Sequence, residues 1–514
     1  MTESLVSLVG AGPGDPGLLT ARGRERLAAC DCLIYDYLVS PEIVAIAPGA
    51  AVRHYVGKRG GKVSMPQEEI NRLLIAAGKQ HRRVVRLKGG DPFLFGRGGE
   101  EAVALAQAGL AFEIVPGVTS GIGAPAYAGI PVTHRAASSA VVLVTGHQQH
   151  RAGEPEPPFD WRSIAHVETI VLYMGMHRLS DNCAGLIAAG RTGTTLAAII
   201  QWGSLPRQKV VTGTLETLPA LAAAAGLGAP AITVIGDVVR FREEIRWFDH
   251  PQRHPLFGRR LLVTRAREQA SELVHLLREQ GAAVQEIPLA RFAWPEDCSA
   301  LDAALGALDQ FAWLAVTSAN AVEFTWNRLR HVGRDARALG HLRLAAVGPA
   351  TARALEAHGL HADLIPDTAD SEHLARALTT WAAAAGPGAD RTILIPQADN
   401  ARPLLRTALT AAGWQVAAPV TYAAVPVIPE LDLDQEQPPD GITFASSATV
   451  ERFLAWATLE RTRTWVAGGC RLYAIGPQTA ATLHQHGLPI AGVAADASIS
   501  GLVAAVVADA THLS

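Results

Sequence analysis

Three glycine-rich turns carry the residues in the first half whose types and spacing suit chemistry. Residues 9–17 read VGAGPGDPG, between an apolar run and a helical stretch. Asp15 stands where a dinucleotide-binding G-x-G-x-x-G has its third glycine, and that glycine is what permits close helix–sheet packing. Pro13 and Pro16 stiffen the turn and remove amide donors that would cradle a pyrophosphate. The turn therefore argues against a nicotinamide cofactor, while bare glycine backbone permits an adenosine-type ligand to lie against it. A plain tight turn explains it equally well. Residues 86–99 read RLKGGDPFLFGRGG, a strand end running into glycines. Asp91 there has the chemistry to accept hydrogen bonds from ribose hydroxyls or an ammonium; its ordinary role is a turn carboxylate or helix cap. Residues 115–121, VPGVTSG, repeat the theme of a strand end followed by a Gly/Thr/Ser turn.

These turns need strands to present them. Short apolar runs at 5–9, 84–87, 112–115, 140–145, 169–173 and 231–235 read as strands, and 22–29 and 68–77 as helices between them. That alternation predicts parallel α/β sheets, whose ligands sit beyond the carboxyl ends of the strands. Ser40-Pro41-Glu42 supplies an N-cap followed by proline at N1, and residues 64–67, SMPQ, fit a capping box. The segment 246–258, RWFDHPQRHPLFG, has two prolines and no periodicity, and marks a linker.

The second half repeats itself. Residues 343–360, RLAAVGPATARALEAHGL, align with 471–488, RLYAIGPQTAATLHQHGL, at an offset of 128; Ser318, Val322 and Glu323 match Ser446, Val450 and Glu451 at the same offset. Residues 261–265 match 393–397, and Gly281 matches Gly413, at an offset of 132. Three blocks in register indicate a duplicated α/β lobe, and two such lobes leave a cleft for a ligand.

Composition narrows the class. With 514 residues, about three or four domains are expected. Hydrophobic residues make up 49% and the formal charge is -3, which excludes a disordered chain and offers no global field for nucleic acid. The five cysteines are scattered without a C-x-x-C pair, so neither a disulfide framework nor a zinc site is expected, and no metal is assigned. No signal peptide or clean membrane span is read, which makes a cytoplasmic protein the default expectation. Between Arg53 and Arg97 eleven Lys/Arg face three acids, a local cationic excess suited to a polycarboxylate or simply a solvated face.

The strings GAGPGDPGLLT, YDYLVSPEI, VGKRGG, QEEIN, RLKGGDPFLFGRGGEE, VPGVTS, PAYAGIPVTHR, VTGH and YMGM occur in order. Together they resemble uroporphyrinogen-III C-methyltransferases of the tetrapyrrole methylase superfamily, over about residues 4–248. From about 256 onward, LLVTRAREQA, VTSANAVEF, AAVGPATARAL, LIPQADNARPLL, VTYAAVP, FASSATVERF and AIGPQTAATL resemble uroporphyrinogen-III synthases. The resemblance implies an α/β protein: a two-domain methylase fold followed by a two-lobed, internally duplicated synthase fold. The implied boundaries are 1–248 (subdomains about 1–135 and 136–248), a linker at 249–257, and 258–514. The latter divides into lobe one, about 258–291 plus 423–514, and lobe two, about 292–422.

The first resemblance implies S-adenosylmethionine as methyl donor. It would be lined by Pro13, Gly89, Gly90, Asp91, Leu94, Thr119, Ser120, Met174, Gly203 and Ala231. It implies Asp36 as base and Lys58 as acid, where a loop carboxylate and a solvated lysine are the ordinary alternatives. Arg59 and Arg86 are candidates for substrate carboxylates. Family members commonly carry His where this chain has Val63, which makes His54 and His134 candidates for that contact. The chain starts directly at the methyltransferase strand, so dehydrogenase and chelatase activities are not expected. The second resemblance implies Tyr422 as a catalytic residue and Thr317, Ser318, Ser446, Ser447 and Thr479 as substrate contacts; alternatively Tyr422 anchors an interlobe strand and the Thr of G-P-x-T-A is an N-cap. Together the two imply a bifunctional enzyme. It would cyclise hydroxymethylbilane to uroporphyrinogen III with inversion of ring D and methylate it twice to precorrin-2, with a homodimer through the methyltransferase half and neither nucleic-acid nor membrane partners. The alternatives are a methyltransferase with a non-catalytic ligand-binding second half, a nicotinamide dehydrogenase with an appended module, and a later precorrin methylase.

Overall fold

The computed structural model describes residues 4–57, 65–146, 159–264, 267–386, 388–429, 431, 433 and 437–512. Lys58, Arg59, Val63 and Ser64 lie outside the described residues. Among those described, no helix is long and apolar enough to cross a membrane.

The first sheet runs Val52–Tyr55, Cys32–Tyr35, Arg83–Lys88, Leu5–Gly10, Ala111–Val115, all parallel. Its central strands are buried on both faces, because the helices Ala21–Ala28, Gln67–Gln80 and Gly98–Gln107 cover the sheet. Thr20 and Ser40 cap the helices that follow them.

The second sheet corrects the parallel expectation. Its order is Val141–Thr145, Thr169–Tyr173, Ala231–Ile235, Leu196–Gln201, Lys209–Thr214, and only the first pair is parallel. The physical reason is connection length: residues 202–208 join two of these strands, and a parallel crossover takes about a dozen residues or more.

The duplication is visible strand by strand. One parallel sheet runs Ala283–Glu286, Arg260–Val263, Gly441–Phe444, Arg471–Ala474, Gly492–Val493. The other runs Gln415–Ala417, Thr392–Leu394, Trp313–Val316, Arg343–Ala346. Trp313–Val316 and Arg343–Ala346 correspond to Gly441–Phe444 and Arg471–Ala474 at the offset of the sequence repeat. The second offset pairs Arg260–Val263 with Thr392–Leu394 and Ala283–Glu286 with Gln415–Ala417. The lobes are joined by an antiparallel ribbon, Ala290–Ala293 on Val420–Pro426, with Arg291 opposite Val425. The repeat also keeps a His–Glu contact, His358 on Glu323 (2.8 Å) and His486 on Glu451 (2.9 Å).

The segment between the halves is packed. Asp249 is buried and paired with Arg242 at 2.5 Å, Trp247 donates its indole N–H to the Ala126 carbonyl, and Phe248 contacts Tyr127 on one side and Phe257 on the other.

Candidate functional site

The three glycine turns converge at the carboxyl end of the first sheet. Gly12 N–H donates to the Gly90 carbonyl (3.1 Å), and Gly90 N–H returns a bond to Gly12 (2.8 Å). A Cβ at Gly117 would lie 2.3 Å from Gly90 O, and one at Gly10 would lie 2.6 Å from Gly117. Backbone therefore touches backbone where any side chain would collide. Asp91 knits this meeting: one oxygen accepts from the amides of Phe93 and Leu94, the other from Gly117 N–H at 3.0 Å. Its carboxylate is occupied as a turn-former.

The second sheet closes on the same place. The Tyr173 hydroxyl sits 2.7 Å from Thr119 Oγ1 and accepts from Gly121 N–H at 2.8 Å. Tyr173 heads the strand end that carries Met174, and Ile232 opposite Tyr173 places Ala231 at that same end. Leu94 reaches across to pack on the second sheet's core. Pro13 lies against helix Ser120–Tyr127, since a Cβ at Gly123 would meet its ring at 2.8 Å. Asp15 accepts from the Tyr127 hydroxyl at 2.5 Å and its amide donates to Ser204 Oγ, which ties the first turn to the second sheet. Five non-glycine residues here hold positive φ: Phe95, Arg97, Met174, Trp202 and Ser204. Such strain collects at functional sites.

So the structure brings together Pro13, Gly89, Gly90, Asp91, Leu94, Thr119, Ser120, Met174 and Ala231 at two facing sheet ends. Gly203 is different. It is buried against Ala124 of helix Ser120–Tyr127, where a Cβ would come within 2.2 Å. Tyr173, a further residue that ties the two sheets together, stands beside Met174 in YMGM, the signal by which the sequence could have pointed to it.

Asp36 follows strand Cys32–Tyr35 and is partly exposed. Leu38 N–H donates to one of its oxygens (3.2 Å), and Arg86 Nη2 approaches the other at 3.4 Å. Arg86 is not the exposed fork expected for substrate: it is 3% exposed and also bonds Glu101. The cationic excess shrinks likewise. Lys88 is buried on Glu101, Arg97 pairs with Glu100, and Arg53 donates to the carbonyls of Ala47 and Pro48. Nothing in the sequence marks Glu101 as buried, because a carboxylate in the first turn of a helix, here Gly98–Gln107, reads as an ordinary solvated helix-start residue. His134 is structural: its ring nitrogen accepts from Ala136 N–H and its face packs on Phe241.

In the second half Ser318 caps helix Ala319–His331, accepting from Ala321 N–H at 2.9 Å, and Ser446 caps helix Ser447–Ala457 in a capping box with Thr449. Thr317 adjoins the first cap, and Ser447 donates to the Gln478 carbonyl. The N-cap expectation for Thr479 is overturned: Gly476 is the cap of helix Pro477–Gln485, and Thr479 is buried in the first turn. Proline at N1 sets that start, so the helix begins three residues earlier than a Thr479 cap would place it. Tyr422 lies in the ribbon, 7% exposed, its hydroxyl 2.9 Å from Ser318 Oγ and its ring stacked on Phe324. Burial raises its phenol above the usual range, opposed by the Ser318 hydrogen bond. That is the geometry of an anchor for the interlobe strand.

Residues 5–219 match the tetrapyrrole (corrin/porphyrin) methylases, and residues 271–504 match uroporphyrinogen-III synthase HemD. A porphyrin biosynthesis protein HemD of Ruminiclostridium josui is 40% identical over 73% of this chain and 73% of its own length. A uroporphyrinogen-III C-methyltransferase of Bacillus subtilis is 44% identical over 56% of this chain and 59% of its own. A siroheme synthase of Thiobacillus denitrificans is 48% identical over 47% of this chain, which spans 50% of that relative. A solved uroporphyrin-III C-methyltransferase from Thermus thermophilus, complexed with S-adenosyl homocysteine, is 38% identical, covers 46% of this chain and 98% of its own, and has a TM-score of 0.40. The chain belongs to the porphyrin-biosynthesis family in which a uroporphyrinogen-III methyltransferase of the tetrapyrrole methylases is fused to a uroporphyrinogen-III synthase of the HemD type.

Proposed function

We propose that this chain performs two successive reactions: its second half cyclises hydroxymethylbilane to uroporphyrinogen III with inversion of ring D, and its first half C-methylates that product twice to precorrin-2. The observation that carries the reading is the meeting of Gly10, Gly90 and Gly117 under the second sheet, with Asp36 on the adjoining strand end. Bare backbone there fits a flat adenosine and a thioether chain, which need space and amide or carbonyl partners more than charge. S-adenosylmethionine, when bound, supplies an electrophilic methyl group on sulfur. Gly89, Gly90, Thr119, Ser120, Met174 and Ala231 would hold it, and Asp91 would fix the loop that does so. The attacking carbon belongs to an electron-rich pyrrole, so no covalent nucleophile is needed; the protein orients the ring and removes a proton. Asp36 is the carboxylate assigned to that proton, with Lys58 as its acid counterpart.

In the synthase half, Thr317, Ser318, Ser446 and Ser447 stand at helix N-termini beyond strand ends, where hydroxyls and amides favour carboxylates. Tyr422 is assigned to ordering Ser318 and the ribbon. Joining the halves raises the local concentration of the shared intermediate. The methyltransferase half is assigned a homodimer contact, checked by light scattering, and the chain a cytoplasmic location.

Anaerobic incubation of the purified chain with hydroxymethylbilane and S-adenosylmethionine tests the reading by product mass and isomer type. A dimethylated type III product is expected. Failure to methylate supplied uroporphyrinogen III overturns the first assignment. Methylation only with supplied uroporphyrinogen III makes the second half a binding module.

A further inference from the structure

The ground beneath Asp36 holds more buried charge than the proposed chemistry uses. Arg86 and Lys88 lie two residues apart on one face of strand Arg83–Lys88 and are 3% and 4% exposed. Glu101, fully buried, stands in the first turn of helix Gly98–Gln107, where the helix dipole favours an anion. One Glu101 oxygen accepts three bonds, from Lys88 Nζ (2.8 Å), Arg86 Nε (3.2 Å) and Gln67 Nε2 (3.3 Å). Its other oxygen has no hydrogen-bond partner among the described residues. Arg86 spends Nη1 on the Leu87 carbonyl and turns Nη2 toward Asp36. Two cations thus face one buried anion, and the four charges balance only when Asp36 is counted.

Stability alone is a poor reason for this arrangement. An apolar set of the same volume is often as stable as a buried ion cluster, and buried carboxylate oxygens are usually served. Gathering both cations on a single oxygen pins the Arg86 guanidinium from one edge and leaves its far nitrogen to face the strand end. Burial, with Arg86 alongside, lowers the Lys88 ammonium from its ordinary range while Glu101 opposes. That is what a cation held for a neighbour's sake experiences.

We propose that Glu101 is a positioning residue for methyl transfer: together with Lys88 it fixes the Arg86 guanidinium, and Arg86 holds the Asp36 carboxylate at the angle from which it takes the pyrrole proton. The proposal rests on the reading of Asp36 as the base. Glu101→Gln keeps the shape and removes the charge. In the full chain, with uroporphyrinogen III and S-adenosylmethionine, kcat is expected to fall about 10- to 100-fold, the loss that a small misplacement of a reacting group brings. KM for both substrates and calorimetric donor affinity are expected to stay within about twofold, because neither is gripped by Glu101.

The double variant Asp36→Asn/Glu101→Gln is expected to be no slower than Asp36→Asn alone. If the two losses multiply, or if donor affinity falls along with kcat, the cluster is structural and the proposal is overturned. If Asp36→Asn alone retains its turnover, the base assignment fails and takes this inference with it; that single variant tells the two failures apart. Lys88→Met guards against a Glu101 variant that does not fold: a smaller kcat loss with unchanged KM supports the proposal, and a folded variant with full kcat sinks it.

Discussion

In both halves the candidate site residues gather beyond the carboxyl ends of parallel strands, but the two settings are furnished differently. In the first half, backbone packs on backbone at Gly10, Gly90 and Gly117, five non-glycine residues hold positive φ, and Arg86, Lys88 and Glu101 are buried under Asp36. In the second half, Thr458 and Ala497 are the non-glycine positive-φ residues among those described, and the strand ends run into serine-capped helices. Its two lobes share an ancestry in sequence, yet Ser318 shares its hydroxyl with Tyr422 while the equivalent Ser446 bonds its own Thr449. A site that aligns a small donor and moves one proton needs a rigid frame and few locked charges. A site that folds a long polycarboxylate needs many mild donors, and tolerates divergence between its halves.

The widest break in that comparison is Asp36→Asn. Methyl transfer is expected to drop by about 10²–10⁴-fold, with uroporphyrinogen III formation from hydroxymethylbilane unchanged. Equal loss of both activities would mean that the chemistry is not divided between the halves.

Next is charge in the first half's frame. Burial pushes the Glu113 carboxyl up, but hydrogen bonds from Arg26, Ser7 and Arg22 outweigh it and hold the group down at about 2. A depressed carboxylate stabilises the fold above its unfolded value and loses that stabilisation as pH falls through the folded one. Glu113→Gln should therefore cost most near neutrality, of order 2–3 kcal/mol, and the gap should close as pH drops from about 4.5 toward 2. Thermal midpoints of both proteins across pH 7 to 3 check this; a constant gap would make the loss one of packing.

Gly117→Ala should cost about 1–3 kcal/mol by overpacking, with a parallel loss of donor affinity measured by calorimetry. In the second half, Gly306 ends helix Ser299–Gly306 with nothing near its would-be Cβ, so Gly306→Ala should stabilise by about 0.5 kcal/mol. Equal effects at the two would erase the contrast in backbone tightness.

The finest test lies between the lobes. Ser446→Ala should cost about 1 kcal/mol for a lost cap, and Ser318→Ala about 1 kcal/mol more, because it also strips the buried Tyr422 hydroxyl of its partner. Tyr422→Phe should lower synthase turnover only a few-fold. A loss beyond about 100-fold would place Tyr422 among the groups that act on substrate, since positioned acid–base groups contribute at least that much.

Much of the architecture was legible. The strands Thr169–Tyr173 and Ala231–Ile235 begin and end where apolar runs do, and the offsets of 128 and 132 reappear as matching strands in two sheets. The antiparallel pairing of the second sheet was not legible from the runs at 140–145, 169–173 and 231–235, because the short connection that dictates it joins Leu196–Gln201 and Lys209–Thr214, which are not among those runs. Nor was the fate of Arg86 and Lys88, which reads as a cationic lining until Glu101 is seen beneath it.

By itself the sequence determined what is local or repeated: which segments become strands, which turns carry no side chains, and that one lobe was copied. Periodicity, glycine and proline punctuation, and internal identity are properties of neighbouring or aligned residues. Only the tertiary structure decided which charges are free and which are spent, that Gly203 packs on Ala124, and that Tyr422 lies buried against Ser318. Those outcomes depend on which distant side chain or backbone arrives within about 3 Å, the reach of a hydrogen bond or ion pair, and on how much water is left there.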